Sequence, residues 1–90
     1  MTNRITEAQL QAVCTRINRT LVTPLAPYAG SDPCPRAYLI DYSYGGVSLH
    51  QMADSGTGES DVFGCGHVTK RALMDMMRAF LAGVDARAQS

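Results

Sequence analysis

The sequence has no excess charge of either sign, no long apolar run and only one lysine. Eight Lys and Arg residues balance eight Asp and Glu residues over 90 positions. A general nucleic-acid-binding domain usually carries a basic excess, so the balance argues against that class. No apolar run reaches the roughly 18 residues of a membrane span, and the opening residues, MTNRITEAQ, lack the apolar stretch of a secretory signal. We therefore expect one small cytoplasmic domain.

Cysteine is also sparse, with three residues and no CxxC motif: Cys14, Cys34 and Cys65. An odd number without a secretory signal predicts reduced thiols rather than a disulfide framework. His50, Cys65, His67 and Cys34 are the candidate metal ligands, but the Cys65-x-His67 pair lacks the spacing of zinc-finger ligands. The sequence therefore predicts no metal and no cofactor, with Cys65 a small buried residue and His67 a loop residue.

Hydrophobic residues make up 46% of the chain, which excludes a disordered protein. Thr6 and Gln9 have the spacing of a capping box. An apolar stripe follows them at three- and four-residue steps, which predicts a helix over 7–20. Four prolines then predict a loop without regular structure over 22–36, since each proline removes a hydrogen-bond donor.

Three strands are predicted next, over 37–44, 47–52 and 60–63, from β-favouring residues at two-residue spacing. Gly45 and Gly46 are expected to supply the positive φ angles of the first hairpin turn. The predicted fold class is α+β, with the helices on one side of an antiparallel sheet. The first strand places four side chains on one face: Tyr38, Ile40, Tyr42 and Tyr44.

A second helix is predicted over 70–83, with Thr69 as its N-cap and Gly83 as the residue that ends it. Its methionines widen the apolar surface beyond what a small sheet covers, which indicates a partner surface and favours a homodimer or larger homo-oligomer. The residues concerned are Met74, Met76 and Met77.

Two features suit a phosphate-bearing ligand. Lys70 and Arg71 stand in the first turn of the predicted helix, after the pair Gly64-x-Gly66, where backbone N–H groups favour an anion. A flexible connection with two solvated cations explains the same residues equally well. Tyr44 stands beside glycines that leave room above its ring, which suits a nucleobase.

Several residues are candidates for a catalytic role, but the sequence contains no catalytic motif. A nucleophile would be Cys65 or Ser55, a base His50 or His67, and an orienting group Asp41 or Asp61. No nucleophile elbow or related signature surrounds them. The sequence therefore predicts that the protein is not an enzyme.

At residues 41–52, DYSYGGVSLHQM, the chain resembles a group of small phage and prophage proteins with a Tyr-Gly-Gly hairpin. A helix that opens with Thr-Lys-Arg at 69–71 and closes near AFLAG at 79–83 extends the resemblance, as does INR at 17–19 followed by Pro24. The similarity covers about residues 10–84. This group is similar to the phage Thoeris anti-defence proteins of the first kind, oligomers that sequester a cyclic ADP-ribose isomer without cleaving it.

The resemblance implies a protein that acts in the cytoplasm of a bacterial host. It also implies a role for each matching residue. Tyr44, beside Gly45 and Gly46, would stack on the base, and Arg71 and Arg19 would hold phosphates. Asp54 stands at a polar contact where the family pattern has Asn, and Asp75 stands where a further helix arginine is expected, so Arg78 would substitute. The implied ligand is a cyclic ADP-ribose or another cyclic nucleotide.

Two other functions fit the sequence. A protein that inhibits a host factor would use the apolar surface of the second helix. A double-stranded-RNA-binding module has the same order of helix, three strands and helix, but it relies on a lysine cluster at the start of its last helix. This chain has only Lys70.

Overall fold

The chain folds into two helices and a three-stranded antiparallel sheet, joined by a short separate hairpin. A computed structural model describes residues 4–55 and 57–89. The α+β class is confirmed, and no helix among these residues is both long enough and apolar enough to cross a bilayer. In chain order the elements are α1 (Glu7–Leu21), β1 (Tyr28–Ala29), β2 (Asp32–Pro33), β3 (Tyr38–Ser43), β4 (Gly46–Met52), β5 (Glu59–Asp61) and α2 (Lys70–Gln89).

Helix α1 begins with the predicted capping box. The Gln9 N–H donates to Thr6 Oγ1 over 3.1 Å, and the Thr6 N–H donates to Gln9 Oε1 over 2.8 Å. The helix ends one residue later than predicted, at Leu21, because Val22 takes a left-handed conformation and its N–H returns to the last turn. Val22 is 87% exposed, so this cap leaves an apolar side chain in solvent.

Both helices pack on one face of the sheet and run in the same direction. Glu7 lies near Lys70 at one end, and Arg16 lies near Asp85 at the other. These ion pairs are exposed and contribute little stability. Burial of apolar side chains from both helices, β3 and β4 stabilises the packing. The core contains Leu10, Cys14, Ile17, Tyr38, Ile40, Val47, Leu49, Leu73, Met74, Met77 and Leu81.

The methionines of α2 do not form the predicted partner surface. Met74 and Met77 are almost completely buried in the chain's own core, and Met76 is half-buried against it. That prediction is wrong for Met74 and Met77 because α1 and the sheet together cover more of α2 than the sheet alone would. Association of two copies through α2 stays a prediction, but the buried side chains of Met74 and Met77 do not supply an apolar surface for it.

Helix α2 continues past Gly83 to Gln89, so the predicted end at Gly83 is wrong. A glycine ends a helix by taking positive φ, and Gly83 does not take it. The residues that follow still contact α1, since Asp85 pairs with Arg16 over 3.5 Å. Gly83 thus takes a helical conformation inside α2, because glycine permits the positive φ that ends a helix but does not require it.

Two loops and a strand also differ from the predictions. The 22–36 segment is not free of regular structure, because β1 and β2 pair in it with Tyr28 opposite Pro33. The first hairpin turn lies one residue earlier than predicted: Tyr44 and Gly45 have positive φ, 55° and 73°, while Gly46 pairs with Ser43 at the start of β4. Strand β5 ends at Asp61 rather than at residue 63.

We expect Gly83→Ala to stabilise the protein. Gly83 is exposed inside α2, and an added Cβ would meet nothing within 4 Å. Alanine is favoured over glycine inside a helix by about 0.5–1 kcal/mol, so Tm should rise by roughly 2–8 °C. Gly64→Ala is the matched control, since its surroundings are equally open but its φ of 68° should make alanine destabilising. A fall of Tm in Gly83→Ala would contradict the continuous helix.

Candidate functional site

The hairpin between β3 and β4 ends in an open depression. Tyr44 lies at the tip in a left-handed conformation and is 96% exposed, so its ring stands in solvent. The depression has a volume of about 430 Å³. We call it the tip depression, and it is lined by Tyr42, Ser43, Tyr44, Gly45, Gly46, Val47 and Lys70.

The segment 62–68, which we call the strap, brings the start of α2 to this tip. Its first N–H, from Val62, donates to Leu49 over 2.9 Å, and at its other end Val68 exchanges two backbone hydrogen bonds with Val47, of 2.8 and 2.9 Å. Gly46 allows the close approach, because a Cβ there would lie 2.9 Å from the Val68 carbonyl oxygen. The strap therefore runs beside β4, and its His67 side chain reaches Asp41 on β3.

The N-terminus of α2 presents positive charge beside the depression. Thr69 is the predicted N-cap, and its Oγ1 accepts the Ala72 N–H over 3.1 Å. Lys70 and Arg71 follow in a first turn that contains no acidic residue. The Lys70 Nζ lies only at the edge of pairing distance from Glu7, at 4.0 Å. Cations and helix N–H groups together favour an anionic ligand here.

The Gly64-x-Gly66 pair does not serve as an open anion cradle. The carboxylate of Asp61 accepts the N–H of Gly66 over 2.8 Å, of Gly64 over 3.0 Å and of Phe63 over 3.2 Å. Burial raises the pKa of Asp61, but these backbone donors, Gly66 foremost, outweigh it and leave the pKa below its ordinary value. The N–H groups of this glycine pair are therefore already bound to the chain's own carboxylate, which leaves the N-terminus of α2 as the part of the segment that favours an anion.

A half-buried polar cluster lies between the strap and the sheet. The His67 Nε2 is 2.6 Å from Asp41 Oδ2, and the His50 Nδ1 is 2.6 Å from Glu59 Oε1. The two imidazole rings are 5.9 Å apart, and the ring of Tyr44 meets that of His67 edge-on at 5.6 Å. The hydrogen bond with His67 lowers the pKa of Asp41 below its ordinary value, against the opposing effect of burial.

The fold brings some of the candidate residues together and separates the others. Asp41, His50 and His67 come together, with one possible ligand atom from each within 4.8 Å of the others. Glu59 was not among the sequence candidates. The pairing of β4 with β5 places it opposite Met52, which is two residues from His50. Ser55 lies in the turn beyond β4, where its Oγ contacts Thr57 Oγ1 over 2.8 Å.

The cysteines stand apart from this cluster. Cys65 was predicted to be buried, but it is exposed at the turn of the strap, because the Asp61 carboxylate holds that turn from inside. Cys34 is half-buried in the proline-rich segment, and Cys14 lies in the core, where burial raises the pKa of its thiol to about 11. All three are free thiols.

The residues implied by the resemblance fall at two ends of the sheet. Tyr44, Gly45, Gly46 and Arg71 lie at or beside the tip depression. Arg78 is exposed on α2, and the helical rise places it roughly 12 Å from Lys70.

Arg19 and Asp54 lie at the opposite end. Arg19 follows Asn18, whose side chain bonds to the backbone of Tyr38 at the start of β3. Asp54 stands two residues beyond β4, with Arg36 at 4.0 Å. Six residues of extended strand separate this end from the tip, a span of roughly 20 Å. One chain therefore does not bring Arg19 or Asp54 to the tip depression.

Known proteins give no direct guide to this site. Comparisons with protein-family models, with curated proteins and with solved structures find no match to this chain. Its function is therefore inferred from the residues of the tip and from their chemistry.

Proposed function

We propose that the protein binds a phosphate-bearing nucleotide at the tip depression and holds it without cleaving it. The conformation of Tyr44 is the observation that supports this most strongly. A bulky residue with positive φ costs about 1–2 kcal/mol, and Asn or Gly would fit the turn better. Because the Tyr44 ring is also almost fully exposed, burial does not repay that cost. A strained, exposed aromatic of this kind is typical of a binding position.

The surroundings of Tyr44 suit the two parts of a nucleotide. Its ring offers a flat surface for the base, because the side chain is almost fully exposed. Lys70 lines the same depression, and the N-terminus of α2 directs partial positive charge toward it. A base on Tyr44 thus leaves its phosphates near the cationic end of the helix.

The resemblance adds the ligand class and the biological role. It favours a cyclic ADP-ribose or another cyclic nucleotide, which the protein would sequester from a bacterial defence system as a phage anti-defence protein. Arg19 and Asp54 contribute to such a site only if a second copy of the chain supplies them, because they lie roughly 20 Å from the tip of their own chain. A shared pocket in a homo-oligomer is therefore part of this proposal.

The test is thermal unfolding of the purified protein with a panel of cyclic nucleotides and cyclic ADP-ribose isomers. A ligand that binds only the folded state raises Tm by mass action. We expect one class to do so and to be recovered intact after heat denaturation. Tyr44→Asn should weaken its affinity by about 5- to 150-fold, the range for one lost base stack, while Tm without ligand stays level or rises because Asn tolerates positive φ.

Two control variants sharpen the result. Tyr44→Phe keeps the ring and should retain affinity, whereas Tyr28→Asn removes another exposed tyrosine far from the tip and should change nothing. Light scattering with ligand present reports whether a second copy joins the site. Equal affinity in Tyr44→Asn and the unaltered protein would refute the stacking role, and absence of binding by every nucleotide would refute the proposed function.

Two observations favour other functions, which the same experiment can test. Both helices lie on one face of a three-stranded sheet, the arrangement expected for a double-stranded-RNA-binding module, so a duplex RNA of about 16 base pairs belongs in the panel. Steep loss of its binding with salt would identify that function. Val22, Leu25 and Tyr28 expose apolar surface after α1, which favours a protein partner at that loop rather than at α2.

A further inference from the structure

The polar cluster behind the hairpin has the composition and spacing of an incomplete metal site. We propose that Asp41, His50 and His67 bind a Zn²⁺ ion, with the fourth coordination position left to water or to an exogenous ligand atom. Each residue offers one ligand atom, and the three atoms lie within 4.8 Å of one another. Two imidazoles and one carboxylate form a ligand set that Zn²⁺ takes in proteins.

The distances require only small movements. Bonds of about 2.0–2.1 Å in a tetrahedral site place neighbouring ligand atoms roughly 3.3 Å apart. Asp41 Oδ2 and His67 Nε2 now share a hydrogen bond of 2.6 Å, so they would separate by about 0.7 Å, and the other ligand atoms would close by at most about 1.5 Å. The proton of that hydrogen bond leaves to solvent when the ion binds.

His50 is already oriented as a metal-bound histidine is. Its Nδ1 lies 2.6 Å from the Glu59 carboxylate, which accepts the Nδ1 proton and leaves Nε2 as the atom with a free lone pair. A carboxylate on the far nitrogen is the usual outer partner of a zinc-bound imidazole. Glu59 is therefore a positioning residue in this proposal rather than a ligand.

The three ligands stand on well-supported backbone. Asp41 and His50 lie on the paired strands β3 and β4, and His67 lies on the strap where Val68 pairs with Val47. The cluster also combines two carboxylates, of Asp41 and Glu59, with two imidazoles that are neutral when they ligate. A divalent cation balances that charge.

This site is separate from the proposed nucleotide function, although His67 contacts Tyr44 through its ring. Metal binding requires neither the Tyr44 ring nor Lys70, so the two proposals can fail independently. The probe is accordingly the metal ion alone, added to protein freed of metal with a chelator.

The test is unfolding of the metal-free protein with ZnCl₂, together with the visible absorption spectrum of the Co²⁺ complex. Zn²⁺ at about 100 times its dissociation constant should raise Tm by roughly 10–20 °C, and Co²⁺ should give the intense bands of four-coordination. His50→Gln and His67→Gln should each weaken Zn²⁺ binding by at least 100-fold. Glutamine keeps a polar side chain for Asp41 or Glu59, so at least one of these variants should fold.

Cys65→Ser is the matched control, since Cys65 lies two residues from His67 but its sulfur contacts Gly66 instead of the cluster. Its Zn²⁺ affinity should equal that of the unaltered protein. The proposal is overturned if neither Zn²⁺ nor Co²⁺ binds at millimolar concentration. It is equally overturned if folded His50→Gln and His67→Gln bind Zn²⁺ normally, or if Cys65→Ser abolishes binding.

Discussion

Replacing Asn18 with alanine should destabilise the fold by about 3 kcal/mol or more and lower Tm by roughly 10 °C or more. Asn18 is fully buried. Its Oδ1 accepts the Tyr38 N–H over 2.8 Å and the Thr23 hydroxyl over 2.7 Å, and its Nδ2 donates to the Tyr38 carbonyl oxygen over 3.1 Å. Alanine would leave both backbone groups of Tyr38 without partners at the start of β3.

Two variants separate the contributions of this side chain. Asn18→Asp keeps both acceptor contacts but removes the Nδ2 donor and buries a charge, so it should be as damaging as alanine. Thr23→Val removes the two half-buried contacts of the Thr23 hydroxyl, 2.7 Å to Asn18 Oδ1 and 3.3 Å to the Asn18 carbonyl oxygen, and should cost about 1 kcal/mol. Urea unfolding of the three variants measures the series. Our interpretation of Asn18 is wrong if Asn18→Ala lowers the free energy of unfolding no more than Thr23→Val does.

Gly46→Ala is the second change with a large expected effect, about 2–4 kcal/mol. The new Cβ would lie 2.9 Å from the Val68 carbonyl oxygen and 3.2 Å from His67 Cβ. Because the closest atom belongs to backbone, a side-chain rotation cannot relieve the contact. The strap would have to move off β4, which breaks the two hydrogen bonds between Val47 and Val68. The His67 imidazole should move with it.

Gly45→Ala is the control for this change. Gly45 has φ of 73° but open space around it, so alanine there should cost about 1 kcal/mol from the backbone alone. The φ angles alone would make Gly45 the more sensitive position. We expect the reverse, with the larger loss of stability at Gly46. Thermal unfolding and the NMR signals of His67 measure stability and strap position together. Equal stability of the two variants would show that the strap does not hold this close approach.

Predictions from short segments were confirmed where the cause is local. The capping box at Thr6 and Gln9 needs only residues within one turn, and the N-cap at Thr69 likewise depends on its immediate neighbours. The Gly83 prediction failed because glycine permits the positive φ that ends a helix but does not require it, and Gly83 does not take it. The prediction for Met74 and Met77 failed because a burial argument made from one helix omits the other.

The polar cluster was beyond local inference. Asp41 and His67 are 26 positions apart, and nothing in either segment indicates the other. Cys65 was predicted to be a small buried residue, whereas its thiol is exposed. His67 joins Asp41 and His50 only when the strap pairs with β4, an approach that depends on the missing side chain of Gly46.

The sequence by itself determined the two helices, the hairpin and the α+β class, because capping, apolar periodicity and turn residues act over a few positions. It also indicated, before any resemblance, that Tyr44 and the pair Lys70 and Arg71 suit a phosphate-bearing ligand. Tertiary structure decided which of those residues meet, since strand length separates Arg19 from the tip while the strap carries Lys70 to it. Distances between segments far apart in the chain arise from packing, and packing is a property of the whole fold.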